Sequence, residues 1–151
     1  MAPGCRFAVI VARFNEEITE GLLSGARSTL AAAEVAPGDI TIVRVPGAFE
    51  IPIAAQRLAE TGRFDAIICL GCLIKGDTMH FEYIADAASH GLIEAAAATG
   101  IPVAFGVLTT LTEEQAIERA AAGAGNKGSE AALAAIEMAT LFRQLEEGAD
   151  A

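Results

Sequence analysis

Positive charge is scarce in this chain. Ten lysines and arginines stand against twenty aspartates and glutamates, a formal charge of −10 at pH 7, and such a surface repels phosphate backbones and anionic lipid alike. Nucleic acid and membrane are therefore not expected partners, and an anionic ligand must be held by a few local cations. Long apolar runs are also missing. No stretch approaches the roughly 20 residues that span a bilayer, and there is no charged-then-apolar leader, so the expected location is the cytoplasm. Cysteine is scarce: Cys5, Cys69 and Cys72 are an odd number without a disulfide-rich spacing, which suits a reducing compartment. Tryptophan is absent and aromatics make up only 5% of the chain.

Alanine fills the space that aromatics leave. Apolar residues reach 53%, with alanine-rich tracts from Glu94 to Thr99 and from Ala131 to Ala135. Small side chains let helices approach closely, and surplus apolar surface needs cover. A homo-oligomer is the expected cover, with a generous monomeric core as the plainer alternative. The length, 151 residues, fits one domain over 1–151, with a short N-terminal arm at 1–5 and a loose tail at 147–151.

Four apolar runs have strand character: Phe7 to Ala12, Ile40 to Val45, Ala66 to Leu70 and Pro102 to Leu108. Each precedes a helical pattern. The first helix spans about Glu16 to Ala33. The second begins near Phe49, accepts Pro52 in its first turn and ends about Thr61. The third carries Phe81, Ile84, Ala85, Ala88 and Leu92 at helical spacing and closes near Gly100. Thr112-Glu113-Glu114-Gln115 reads as a capping box for a fourth, and Asn126 as the cap of a fifth reaching about Glu147. Regular β-α alternation predicts an α/β fold, a four-stranded parallel sheet between two helical layers. Ligands of such sheets bind at the C-terminal strand ends, here Arg13-Phe14-Asn15, Pro46 to Glu50, Gly71 to His80, and Thr109-Thr110.

Three motif matches fail on context. Gly123-Ala124-Gly125-Asn126-Lys127-Gly128 fits G-x-G-x-x-G but joins two helices and follows no strand. Gly71-x4-Gly76-Asp77-Thr78 resembles a phosphate-binding loop, yet Asp77 stands where that loop needs lysine. Cys69-Leu70-Gly71-Cys72 is a C-x-x-C whose first cysteine lies inside a strand, away from any helix dipole. No second ligand pair accompanies it, so no metal is expected.

The stretch from Gly71 to Tyr83 is the most informative. Asp77 or Thr78 can cap the third helix and leave its other N–H groups to an anion. His80 lies in the first turn, where the positive helix end disfavours the imidazolium and leaves a neutral ring able to pass protons. A hydrogen-bonded surface residue is the competing reading. His90 points elsewhere and reads as structural. Arg119 and Lys127 flank a glycine-rich bend and form either a phosphate clamp or ordinary surface charges. Phe14 and Phe105 stack on a planar ligand or pack in the core. Glu50 accepts from ligand hydroxyls or favours its own helix N-terminus.

Taken together, the segments Ala12 to Asn15, Pro46 to Pro52, Leu70 to Phe81, Phe105 to Thr110 and Gly125 to Glu130 resemble the lumazine synthase family, in order and over nearly the whole chain. The resemblance implies a flavodoxin-like three-layer α/β/α sandwich. The implied activity condenses 5-amino-6-(D-ribitylamino)uracil with 3,4-dihydroxy-2-butanone 4-phosphate, with no cofactor. Phe14 would stack on the pyrimidine, Ala48, Phe49 and Glu50 would hold the ring and ribityl chain, and Cys72, Leu73 and Ile74 would line the pocket. Asp77, Thr78 and Arg119 would bind phosphate, and His80 would shuttle protons. Phe105, Arg119 and Lys127 would come from an adjacent subunit and close the pocket. The family forms rings of five, in some members twelve rings joined as an icosahedral shell. Only Met1 to Cys5 precede the first strand, where many members carry an extra strand that pairs with a neighbour, so a pentamer is the firmer expectation. A flavin-binding or shell-forming protein on the same fold is the alternative.

Overall fold

Phe7-Ala8-Val9-Ile10-Val11-Ala12 is buried at every position, a pattern that requires cover on both faces of the sheet. The computed structural model describes residues 1–148 and supplies that cover. The elements are β1 (Phe7–Ala12), α1 (Glu16–Ala32), β2 (Ile40–Val45), α2 (Ile51–Glu60), β3 (Ala66–Ile74), α3 (His80–Thr99), β4 (Val103–Thr110), α4 (Glu113–Ala120) and α5 (Lys127–Glu146), with single 3₁₀ turns at Pro37–Asp39 and Ala48–Glu50. The strands lie in the order β2-β1-β3-β4, all parallel.

Alternation along the strands divides the core in two. Phe7, Val9, Val11, Ile68 and Leu70 pack with α1, α4 and α5, whereas Ala8, Ile10, Ala12, Ile67 and Cys69 pack with α2 and α3. The result is the expected three-layer α/β/α arrangement.

Two expectations need correcting. β3 does not end at Leu70 but continues to Ile74, and β4 matches it to Thr110, through the pairs Gly71 with Val107, Cys72 with Leu108, Leu73 with Thr109 and Ile74 with Thr110. Gly71 reads in the sequence as a break, yet it stays in the ladder. A Cβ there would lie 3.2 Å from Ile51 Cδ1, so the glycine makes room for the start of α2. In addition, neither Asp77 nor Thr78 caps α3. The N-cap is Met79, with no side-chain cap bond. The turn closes one residue later than expected, and the Thr78 hydroxyl meets only the first helical N–H, that of His80, at 3.4 Å.

The other two caps form as read. Thr112 and Gln115 complete a capping box, and the Asn126 side chain accepts from Ser129 N–H at 3.0 Å. Asn126 does more than cap. Its Nδ2 is shared among the carbonyls of Gly21, Ala120 and Ala121, each at 3.1 Å, with the residue only 1% exposed. Beside it Ser129 Oγ donates to the Gly25 carbonyl at 3.0 Å. A Cβ on Gly128 would run into the Leu22 carbonyl. α1 and α5 are thus in backbone contact along a seam of small residues.

The arm at 1–5 lies against its own chain. Ala2 N–H donates to the Ala33 carbonyl at 2.8 Å, Ala2 and Cys5 are buried, and Arg143 bonds the Gly4 carbonyl at 2.9 Å. At the other end Glu147 is the C-cap of α5 and Gly148 follows with φ 76°. Residues 149–151 of the expected tail lie outside the described residues.

Candidate active site

β1 and β2 run on together past their formal ends. Arg13 N–H donates to the Val45 carbonyl at 2.8 Å and Phe14 N–H to that of Pro46 at 3.0 Å, which carries the Phe14 ring out to 65% exposure. Asn15 then turns the chain into α1 in the left-handed region at φ 61°, a conformation asparagine tolerates better than most residues. Its Nδ2 donates to the Cys72 carbonyl at 2.9 Å, tying the tip of β1 to β3. After β2, the turn at Ala48–Glu50 is closed by Glu50 N–H on the Gly47 carbonyl at 3.2 Å.

These ends and the start of α3 enclose a cavity of about 400 Å³, within the usual range for small-molecule sites. Phe14, Ala48 and Glu50 form one wall. Leu73 forms the floor, Ile74 borders it with its side chain packed on the α1/α5 face, and Thr78 and His80 line the cavity from the start of α3 with Phe81 and Ile84. One exposed aromatic face, one carboxylate, an apolar floor and an imidazole at a helix N-terminus suit a flat ligand with a polar edge. No lysine or arginine lines this cavity.

The cations lie elsewhere. A second hollow, also about 400 Å³, follows the open edge of β4 and is lined by Phe105, Thr110, Arg119, Lys127 and Glu130. Arg119 is folded back onto its own helix, its guanidinium donating to the Gln115 carbonyl at 3.0 Å. Lys127 pairs with Glu130 at 3.0 Å, and Phe105 remains 48% exposed. The two hollows share no lining residue. Within one chain, Phe105, Arg119 and Lys127 are together with one another and apart from His80.

Three of the expected contacts line neither hollow. Phe49 is exposed between two residues that do line the first. Asp77 projects from the exposed loop after β3. Cys72 needs correction as a lining side chain: alternation along β3 turns it into the α1/α5 core, where burial pushes its thiol up to about 11, while its carbonyl accepts from Asn15. Cys69 faces the opposite core, and complete burial pushes its thiol far up as well. The C-x-x-C thus places its two thiols on opposite faces of the sheet and cannot act as a redox pair. His90 bonds the Asp86 carbonyl of its own helix at 3.1 Å.

Sequence reasoning missed three residues. Phe81 and Ile84 were assigned only to the packing face of α3, and Asn15 was given no role. Their signals were the spacing from His80 and an asparagine placed directly between a strand and the acidic pair Glu16-Glu17. Among the described residues there is no cluster of three metal-ligating side chains, and no helix is long and apolar enough to cross a membrane. The family model for 6,7-dimethyl-8-ribityllumazine synthase matches residues 4–143. With that match over most of its length and this architecture, the chain belongs to the 6,7-dimethyl-8-ribityllumazine synthase family of transferases.

Proposed function

We propose that this protein condenses 5-amino-6-(D-ribitylamino)uracil with 3,4-dihydroxy-2-butanone 4-phosphate to give 6,7-dimethyl-8-ribityllumazine, phosphate and water, the penultimate step of riboflavin biosynthesis. The observation that carries this reading, beside the family, is the separation of two hollows with complementary chemistry. One offers stacking, hydrogen bonding and a proton carrier without a cation. The other offers two cations and an exposed phenylalanine without an imidazole. A neighbouring subunit that brings its β4 edge over the first cavity completes both.

In the completed site Phe14 stacks on the pyrimidine, while the turn carrying Ala48, Phe49 and Glu50 holds the ring edge and ribityl hydroxyls. Leu73 forms the floor, with Ile74 at its border and the backbone of Cys72 behind them. The phosphate lies between the loop of Asp77 and Thr78, at the positive end of α3, and the neighbour's Arg119, with the neighbour's Lys127 and Phe105 closing over it. The aromatic amine attacks the ketone, and the resulting carbinolamine loses water to an imine. His80 moves the proton needed for that loss and for elimination of phosphate. The second amine then closes the ring with loss of another water. Much of the acceleration comes from holding two mutually reactive partners in register. Metal and organic cofactor have no part in this scheme. The protein acts as a cytoplasmic homo-oligomer, a ring of five on the family pattern, with shell assembly as a further step.

The test is lumazine formation at neutral pH, with the protein-free condensation subtracted. Turnover above that blank supports the reading. A rate equal to the blank in assembled protein overturns it in favour of a flavin-binding or shell protein. Mixing His80→Ala with Arg119→Ala subunits tests the shared site. If the groups come from different chains, random mixing at equal amounts rebuilds about a quarter of the sites with both residues. If they come from one chain, no activity returns.

A further inference from the structure

Between β3 and α3 the chain crosses the mouth of the first cavity as an exposed loop, Gly76 to Met79. Among the described residues this loop is held by few bonds of its own. The Thr78 hydroxyl accepts from His80 N–H at a long 3.4 Å, and the Met79 carbonyl accepts from Tyr83 N–H at 3.1 Å. Nothing lies within 4 Å of where a Gly76 side chain would begin. Yet the loop carries Thr78 and leads into His80, both of which line the cavity.

What closes the loop at its base is an ion pair. Lys75 is the first residue after β3, and its backbone N–H still bonds the Thr110 carbonyl of β4 at 2.9 Å. Its Nζ reaches forward to Glu82 Oε1, in the first turn of α3, at 3.3 Å. On the way it lies 6.0 Å from the centre of the Phe81 ring, within the range of a cation–π contact. Glu82 is held closely enough that its second carboxylate oxygen is buried without a hydrogen-bond partner. A freely placed surface glutamate would turn that oxygen to water, so a defined position of this carboxylate is maintained at a cost.

We infer that Lys75 and Glu82 form a clasp that fixes the Gly76–Met79 loop in its ligand-receiving shape, making both of them positioning residues for the phosphate-bearing substrate. This rests on the condensing activity proposed above. Partly exposed pairs of this kind contribute little to global stability, and neither side chain lines the cavity. Ordering a single loop residue costs about as much as a tenfold change in affinity, so release of the clasp acts on binding more than on the fold.

Lys75→Met is expected to raise KM for the butanone phosphate about tenfold, with kcat changed less than about twofold. Glu82→Gln should shift KM in the same direction, Lys75→Arg should restore it, and the exchanged pair Lys75→Glu with Glu82→Lys should recover most of the loss. Amide hydrogen exchange at residues 76–80 should be faster in Lys75→Met than in the parent protein. The inference fails if Glu82→Gln lowers KM or leaves it unchanged while Lys75→Met raises it, since Lys75 would then be a direct phosphate ligand. It fails also if the exchanged pair stays as impaired as Lys75→Glu alone, or if exchange at 76–80 is the same with and without the clasp. Should the parent protein give no turnover above the blank, the proposed function falls, and the exchange measurement still decides the clasp.

Discussion

The two helical layers of this molecule solve opposite problems. Where α1 meets α5 the packing is as tight as backbone allows: Gly128 lies against the Leu22 carbonyl, and the Asn126 side chain binds three carbonyls from two other segments. Where α2 and α3 cover the other face, the layer opens at the strand ends into a cavity walled by Phe14, Glu50 and His80. The seam of one layer is made of glycine, alanine and satisfied polar groups, whereas the other layer presents exposed aromatics and a loop held by an ion pair. In the proposed chemistry the tight layer acts only indirectly. It fixes the bend between α4 and α5, and so the origins of Arg119 and Lys127, from behind. Stability and catalysis should therefore respond to substitution on different sides of the sheet.

The sharpest break is between two glycines. Gly128→Leu forces side-chain atoms into the Leu22 backbone, which cannot yield as a flexible side chain would. The expected cost is about 3 kcal/mol or more, enough to prevent folding of a marginal domain. Gly76→Ala, in open space on the other layer, should change stability by about 0.5 kcal/mol or less. Urea unfolding of the two variants, with soluble yield as a second readout for Gly128→Leu, measures the contrast. Equal effects would mean that the seam between α1 and α5 is not a close contact.

Asn126 comes next. Asn126→Ala leaves the Ser129 N–H and the carbonyls of Gly21, Ala120 and Ala121 without their side-chain partner, and buried unsatisfied groups cost about 1–3 kcal/mol each when no water replaces the bond. A net loss of about 3 kcal/mol is expected, together with a raised KM as Arg119 and Lys127 lose their fixed origins. Asn126→Asp should be no better. It keeps an acceptor for Ser129 but turns a carboxylate toward carbonyl oxygens where an N–H₂ group stood. An Asn126→Asp protein as stable as the parent would remove this network from the account.

Asn126 also shows how much the sequence told and why it stopped. Its capping role is local, written in the residues that follow it, and was legible. Its bond to Gly21, 105 positions away, belongs to tertiary packing and leaves no periodic trace. The same division runs through the rest of the fold. Strand and helix order, the capping box at Thr112 and the Gly100 stop follow from local pattern. The extension of β3 through Gly71 did not, because the glycine answers to Ile51 on another element. In the candidate site, Phe14, Glu50 and His80 could be placed at strand ends by topology alone. The direction of Cys72 could not, since a strand longer by four residues decides which core its side chain enters. That Arg119 and Lys127 lie apart from His80 within one chain follows from the order of the strands, with β4 at an edge.

A small expected effect on stability, and the largest on chemistry, is at His80. The residue is exposed and its bond to Thr78 is made by the backbone N–H, so His80→Ala should move the melting temperature by less than about 2 °C. If the ring shuttles protons, kcat should fall by about 10- to 1,000-fold, towards or below the usual return from general acid–base catalysis, since the two substrates condense unaided. KM should hold, because the phosphate contacts remain. A variant that keeps full kcat would leave the site with positioning alone, and the α2/α3 layer would then differ from the α1/α5 layer in shape and not in reactivity. A variant that instead loses stability would show that the exposed loop and the packed seam share one cooperative structure, and the division between the two layers would fail at the residue chosen to test it.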